Sequence, residues 1–323
     1  MTPGYGKPLY LLPFDHRHSY LSGMFHMSPP LSSRQRDAVV DTKRVIYEGF
    51  RDAVSDGVPE AFAGVLVDEE FGAGILRDAS SKGYVTAMST EKSGSAEFEF
   101  EFGRDFVSHI EAFNPTFAKA LVRYNPEGDA ALNMRQTARL KELSDYCRRT
   151  DHRFMFELLV PATDDQRKSE PAASAYDVRV RPRLVVQAIR AMQDAGVEPD
   201  IWKVEGLDSR EHCERVVEAA QRGGRDEVGC IVLGRAADED KVVQWLETAA
   251  AVRGFIGFAV GRTTFWTAIE AYVAGYATRA ETAARIAQRY RRWVSIYERS
   301  AIRANPFEVP LQRRTSRAAN GCD

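Results

Sequence analysis

The residues with the most chemistry in this sequence are lysines and carboxylates set at alternate positions of short apolar runs. In Pro199-Asp-Ile-Trp-Lys-Val-Glu-Gly206, alternation puts Ile201, Lys203 and Glu205 on one face and Trp202 and Val204 on the other. A bulky tryptophan suits packing against helices, so Lys203 is expected to point into an enclosed interior. Burial there favours the neutral amine, a nucleophile toward carbonyl carbon. A buried Lys–Glu pair with a purely structural role fits the same pattern, and the pattern alone leaves the two balanced. In Phe154-Met-Phe-Glu-Leu-Leu-Val, Glu157 lies inward beside Met155 and Leu159. A carboxyl group in such a wall is expected to have a raised pKa and to exchange protons near neutrality. Lys119, Leu121 and Arg123 share a face of a third run, and Asp15 and Asp68 close two more, which places them at one rim.

Two later runs end in Gly-Arg, at Gly234-Arg235 and Gly261-Arg262, and a helical pattern follows each. Glycine admits an anion close to the backbone, arginine offers a fork of donors, and a helix N-terminus favours negative charge, so a phosphate site is expected here. Surface arginines paired with Asp or Glu are the plainer alternative. His16-x-His18 is similar to the opening of metal-dependent amidohydrolase barrels. That chemistry also needs histidines closing the fifth and sixth strands and an aspartate closing the eighth. His152 instead precedes its strand, His212 falls in a helical stretch, the eighth run closes on Gly-Arg, and His26 and His109 complete no ligand set. No metal and no cofactor is therefore expected. Phosphate-loop, dinucleotide and nucleophile-elbow motifs are absent as well.

These residues need a scaffold that brings strand ends together. Eight β-branched or apolar runs, at residues 9–15, 63–69, 84–89, 118–124, 154–160, 200–205, 229–234 and 255–260, alternate with helical spacing such as that at 132–147, 183–195 and 238–251. This alternation predicts an α/β protein, a (β/α)8 TIM barrel, with a doubly wound open sheet as the structural alternative. Turns entering the strands are short, whereas segments 17–33, 91–103 and 162–178 leaving them are long and polar. The site therefore belongs on the carboxyl face, and 162–178 is a candidate lid. A single barrel domain is expected over residues 1–302, ending in an extra C-terminal helix at 277–302 with an apolar stripe of Ala283, Ile286, Ala287, Tyr290, Val294 and Tyr297. Residues 303–323 read as a flexible tail.

The net charge of −2 gives no reason to expect nucleic acid or an anionic membrane as partner. No stretch has the length and apolarity of a membrane helix, and no apolar signal core opens the chain. Cys147, Cys213, Cys230 and Cys322 form no Cys-x-x-Cys pair, so a reducing cytoplasm is expected.

The segments PFDHR, LVDEEFG, EKSG, LVRYNPEGD, FELLVP, EPDIWKVEGL, CIVLGR and GFIGFAVGRTTFW resemble a domain of bacterial inositol catabolism that is fused behind a sugar kinase, the 2-deoxy-5-keto-gluconate 6-phosphate aldolase. The resemblance runs from about Leu9 to Ser300, and the kinase half has no counterpart in these 323 residues. More distantly, the chain is similar to class I tagatose-bisphosphate and sulfofructose-phosphate aldolases. That similarity implies that Lys203 forms a Schiff base, that Glu157 shuttles protons, and that Lys119 completes the catalytic set. It implies substrate contacts from Asp15, Arg17, Asp68, Arg123, Glu205, Gly234, Arg235, Gly261 and Arg262. The implied products are dihydroxyacetone phosphate and malonate semialdehyde, with no cofactor and a homo-oligomeric protein. A class I aldolase for sulfofructose phosphate or another ketose phosphate, and a non-catalytic barrel that only binds a sugar phosphate, are the competing readings.

Overall fold

The computed structural model of the protein describes residues 3–170, 172 and 175–304. Its strands are β1 (Leu9–Pro13), β2 (Ala63–Val67), β3 (Val85–Ser89), β4 (Phe117–Arg123), β5 (Arg153–Leu159), β6 (Ile201–Glu205), β7 (Gly229–Leu233) and β8 (Phe255–Ala259). They pair in parallel and in chain order, and β8 returns to β1, so the sheet closes into a barrel. The expected (β/α)8 architecture is the observed one, and the open-sheet alternative is excluded by this closure.

The helices are α1 (His18–Met24), α2 (Ser33–Ser55), α3 (Glu69–Ser81), α4 (Phe106–Phe113), α5 (Ala130–Thr150), α6 (Asp164–Ser169), α7 (Arg181–Asp194), α8 (Arg210–Ala220), α9 (Glu239–Ala250), α10 (Arg262–Val273) and α11 (Arg279–Ala304). Side-chain oxygens begin several of them: Ser32 accepts from Gln35 at α2, Asp129 from Ala131 and Leu132 at α5, and Asp238 from Lys241 at α9.

Alternation along the strands divides the core in two. Leu9, Leu11, Leu66, Phe117, Met155, Ile201 and Ile231 fill the barrel interior. Leu12, Val65, Phe156, Trp202, Val204 and Val232 pack outward under the helices. Trp202 lies 4.8 Å from Phe156 in that outer layer, so its neighbour Lys203 must point inward.

The C-terminal helix α11 packs on the outside of the barrel. Tyr290 donates to the Tyr10 carbonyl at 2.6 Å, Tyr297 to the Phe255 carbonyl at 2.8 Å, and Trp293 to Thr264 Oγ1 at 3.0 Å. These bonds pin it across the β8–β1 seam. It crosses α2 at Gly49, where a Cβ would come within 2.7 Å of the Ala283 carbonyl. The helix runs to Ala304, two residues past the expected end, and the remainder of the expected tail lies outside the described residues. None of the described helices is long and apolar enough to cross a membrane.

Candidate active site

Strand register brings the inward charges together. Glu157 on β5 is the register partner of Lys203 on β6, and Glu157 Oε1 lies 2.7 Å from Lys203 Nζ. From β4, Lys119 Nζ reaches Glu157 Oε2 at 2.9 Å, Asp15 Oδ2 at 2.7 Å and Glu91 Oε1 at 2.6 Å. All five side chains line one cleft of 470 Å3 at the carboxyl end of the barrel. Lys203 is 3% exposed and Glu157 7%, so these charges are set below the surface and open only into that cleft.

The electrostatics correct one expectation. Burial works to raise the Glu157 carboxyl, but Lys119 and then Lys203 outweigh it and hold the group below its ordinary value. For Asp15 burial also works upward, and Lys119, His16 and Lys203 overcome it and hold it far below. Lys119 is the counterpart: burial opposes its charge, yet Asp15, Glu157 and Glu91 hold its pKa well above the ordinary value. Lys119 thus remains an ammonium. Of the three carboxyls around it, only Glu91 is raised, by burial first and with Asp15 adding to it against the pull of Lys119.

The Gly-Arg rim is built as expected in place and differently in detail. Gly234, Arg235, Gly261 and Arg262 all line the cleft. Thr263 Oγ1 donates to the Ala237 carbonyl at 2.9 Å, which ties the loop after β7 to the first turn of α10. Arg235 is occupied, with Nε 3.0 Å from Glu205 and Nη1 2.7 Å from Asp177. Arg262 has no carboxylate partner among the described residues. It donates to Ser19 Oγ at 2.5 Å, packs over Trp266 and leaves its buried Nε without an acceptor. A guanidinium without a carboxylate partner, beside a helix N-terminus, has the chemistry to take an anion. Gly261 serves packing more than ligand approach, because a Cβ there would meet the Pro13 carbonyl at 2.2 Å.

Other expected residues land elsewhere. Asp68 does not line the cleft: it is fully buried, accepts from the Phe71 amide at 2.8 Å as the N-cap of α3, and pairs with Lys43 of α2. Glu205 is also outside the lining, accepting from the Val160 amide at 3.0 Å and holding Arg235. Arg17 lines the cleft but is a brace, pairing with Glu101 and donating to the Glu91 carbonyl. Arg123, exposed at the rim, donates to the Ser95 carbonyl at 3.3 Å and has no carboxylate partner among the described residues. His16 and His18 both line the cleft, His16 half-buried and His18 exposed at its edge. The candidate lid contributes no described lining residue. Glu91 to Phe98, after β3, do that covering instead. Glu91 and His16 are the site residues that strand alternation missed, since each follows the last residue of its strand; EKSG and PFDHR were the signals that contained them.

Fold and site together define a closed parallel (β/α)8 barrel with paired inward lysines bridged by a glutamate. The chain belongs to the family described as "Uncharacterized protein conserved in bacteria (DUF2090)", which matches residues 5–301. It is 25% identical over 168 residues to tagatose 1,6-diphosphate aldolase 1 of Streptococcus pyogenes, covering 49% of each chain. The match thus spans about half the length of the curated relative. Among solved structures it is similar in fold to the fructose-bisphosphate aldolase of Plasmodium falciparum, with a TM-score of 0.59, 13% identity and 92% of each chain covered. An archaeal fructose 1,6-bisphosphate aldolase gives a TM-score of 0.55 and 15% identity, covering 90% of this chain and 94% of that one.

Proposed function

We propose that the protein is a class I aldolase that cleaves a phosphorylated keto sugar acid, 2-deoxy-5-keto-gluconate 6-phosphate, into dihydroxyacetone phosphate and malonate semialdehyde. The observation that carries this reading is the 2.7 Å contact between buried Lys203 and Glu157, whose other oxygen is fixed by Lys119. A lysine amine adds to the substrate ketone, water leaves, and the protonated imine becomes an electron sink. The carbon–carbon σ pair moves into it, giving an enamine and releasing the aldehyde. The enamine carbon then takes a proton, and hydrolysis of the resulting imine frees dihydroxyacetone phosphate. Glu157 is placed to receive the ammonium proton of Lys203 and to return one to the enamine carbon. Lys119, held as an ammonium, cannot be the nucleophile and serves to fix Glu157 and Asp15.

The long motifs that resemble the inositol-pathway aldolase domain support the particular substrate, as do two arginines at separate positions that have no carboxylate partner among the described residues. Arg262 suits the phosphate and Arg123 suits the carboxylate at the far end. The test is borohydride reduction with dihydroxyacetone phosphate. A mass gain equal to the reduced ligand is expected, located on Lys203 by peptide mapping, and it should vanish in Lys203→Ala. Full cleavage activity in Lys203→Ala would remove the proposal.

A further inference from the structure

Glu91 follows β3 and is buried, 8% exposed, yet lines the cleft. Its carboxyl is used on one side only. Oε1 accepts from Lys119 at 2.6 Å, whereas Oε2 is buried with no hydrogen-bond partner among the described residues. A buried carboxyl oxygen left unsatisfied is costly, and such a group within an active cleft points to a partner that arrives with the ligand. The backbone is fixed around it: Arg17 donates to the Glu91 carbonyl, and an antiparallel bridge pairs Glu91 with Phe100.

Position in the barrel says which part of a ligand it meets. The strand order is closed from β1 to β8, so the end of β3 stands opposite the end of β7. The anion-binding Arg262 stands at the β8 end and the Schiff-base lysine on β6. A ketose held by its phosphate at Arg262 and its ketone at Lys203 therefore extends toward β3 and β4. We infer that Glu91 is the proton acceptor for the hydroxyl on the carbon that becomes the aldehyde, a role separate from that of Glu157; this rests on the aldolase reading above. In cleavage the hydroxyl proton passes to Glu91 Oε2, the oxygen's electrons form the carbonyl, and the broken C–C pair enters the iminium. In condensation Glu91 returns that proton to the new alkoxide. Its pKa is raised, chiefly by burial, so it is a better proton acceptor than the neighbouring Asp15 and Glu157, which are held low.

The experiment separates the two halves of the reaction in Glu91→Gln. Dihydroxyacetone phosphate alone reports the ketone half, by borohydride trapping and by exchange of its α-hydrogen with deuterated solvent. Condensation with malonate semialdehyde or D-glyceraldehyde 3-phosphate, whichever the wild type accepts, reports the aldehyde half. Trapping and exchange should stay within about threefold of wild type while condensation falls roughly 10²–10⁴-fold. Condensation within threefold of wild type overturns the assignment. An equal loss in all three readouts also overturns it, since that is the signature of a group acting only through Lys119. If the wild type itself is not trapped, or accepts neither aldehyde, the aldolase reading fails and this inference with it. Should Glu91→Gln not fold, Glu91→Asp keeps the charge beside Lys119 and should show the same split with a loss of about tenfold; unaltered condensation there is equally fatal.

Discussion

Glu157 and Lys203 are direct register partners on neighbouring strands, and their side-chain contact of 2.7 Å follows from that pairing. Two residues on one strand at this spacing would share a face but lie in different layers. Register partners on adjacent parallel strands point to the same side next to each other, and the second oxygen of Glu157 is then free to reach Lys119. A proton can pass between amine and carboxylate without either side chain changing position.

Removing Lys119 tests how this cluster is balanced. Asp15, Glu91 and Glu157 share its ammonium, so Lys119→Met leaves three buried carboxyl groups without their common cation. Loss of one partner from a buried ion pair costs about 3–5 kcal/mol. A fall in unfolding free energy of that size is expected at pH 7, measured by denaturant titration, with partial recovery toward pH 5 as carboxyls take up protons. A variant as stable as the wild type at pH 7 would show that the carboxyls are solvated and the cluster open.

The two rim arginines should behave differently. Arg262 carries no carboxylate partner among the described residues, whereas Arg235 is held by Glu205 and Asp177. A charge-assisted contact is worth roughly 1.5–3 kcal/mol, so Arg262→Ala should weaken phosphate-ester binding about ten- to a hundredfold, chiefly in KM. Arg235→Ala should weaken it less and should instead loosen the loop after β7. Titration of both variants with dihydroxyacetone phosphate checks this. Equal losses would mean that Arg235 leaves its carboxylates when ligand binds.

Strand alternation made Lys203, Glu157 and Lys119 legible because an inward side chain on a barrel strand has only the interior to enter. It failed at the strand ends. Asp68 and Glu205 follow the same alternation, but a helix N-cap and a guanidinium from the next loop draw them out of the cleft. The pKa of Glu157 was misjudged for a related reason: burial alone raises a carboxyl, and the lysines that reverse this come from β4 and β6, which no local window joins. Glu91 sits past β3, where periodicity carries no information, and its backbone is held by Arg17, which donates to its carbonyl and pairs with Glu101.

Chelation should leave turnover intact. In the proposed reaction the electron sink is a protonated imine on Lys203, so no step calls for a Lewis acid. Activity after exhaustive treatment with a strong chelator should match the untreated enzyme within about twofold, by the same reasoning. A loss that returns on adding a divalent cation would point to a metal-dependent aldolase and would displace Lys203 from the chemistry.

His16 gives the fold a pH dependence whose sign can be worked out. The side chain faces Asp15, Lys203, Glu157 and Arg262, stacks edge-on against Phe265, and leaves a buried Nδ1 without a partner among the described residues. Burial pushes its pKa down from 6.5 to about 4, with Arg262 and Lys203 adding to the effect and Asp15 and Glu157 opposing it. The unfolded chain therefore binds a proton more readily than the folded one. The advantage of a neutral His16 is fully present above pH 6.5, and it is lost as the pH falls from there toward 4. At roughly 1.4 kcal/mol per pH unit, the loss amounts to about 3.5 kcal/mol at most, and less in so far as water reaches the ring. His16→Gln keeps a polar, uncharged side chain at the position and removes this titration. Its stability relative to the wild type should rise as the pH drops through that interval, while the two proteins differ little at pH 7.5. Denaturant unfolding at several pH values measures both curves. Parallel curves would mean that His16 is solvated in the folded protein and takes up its proton as freely as it does in the unfolded chain.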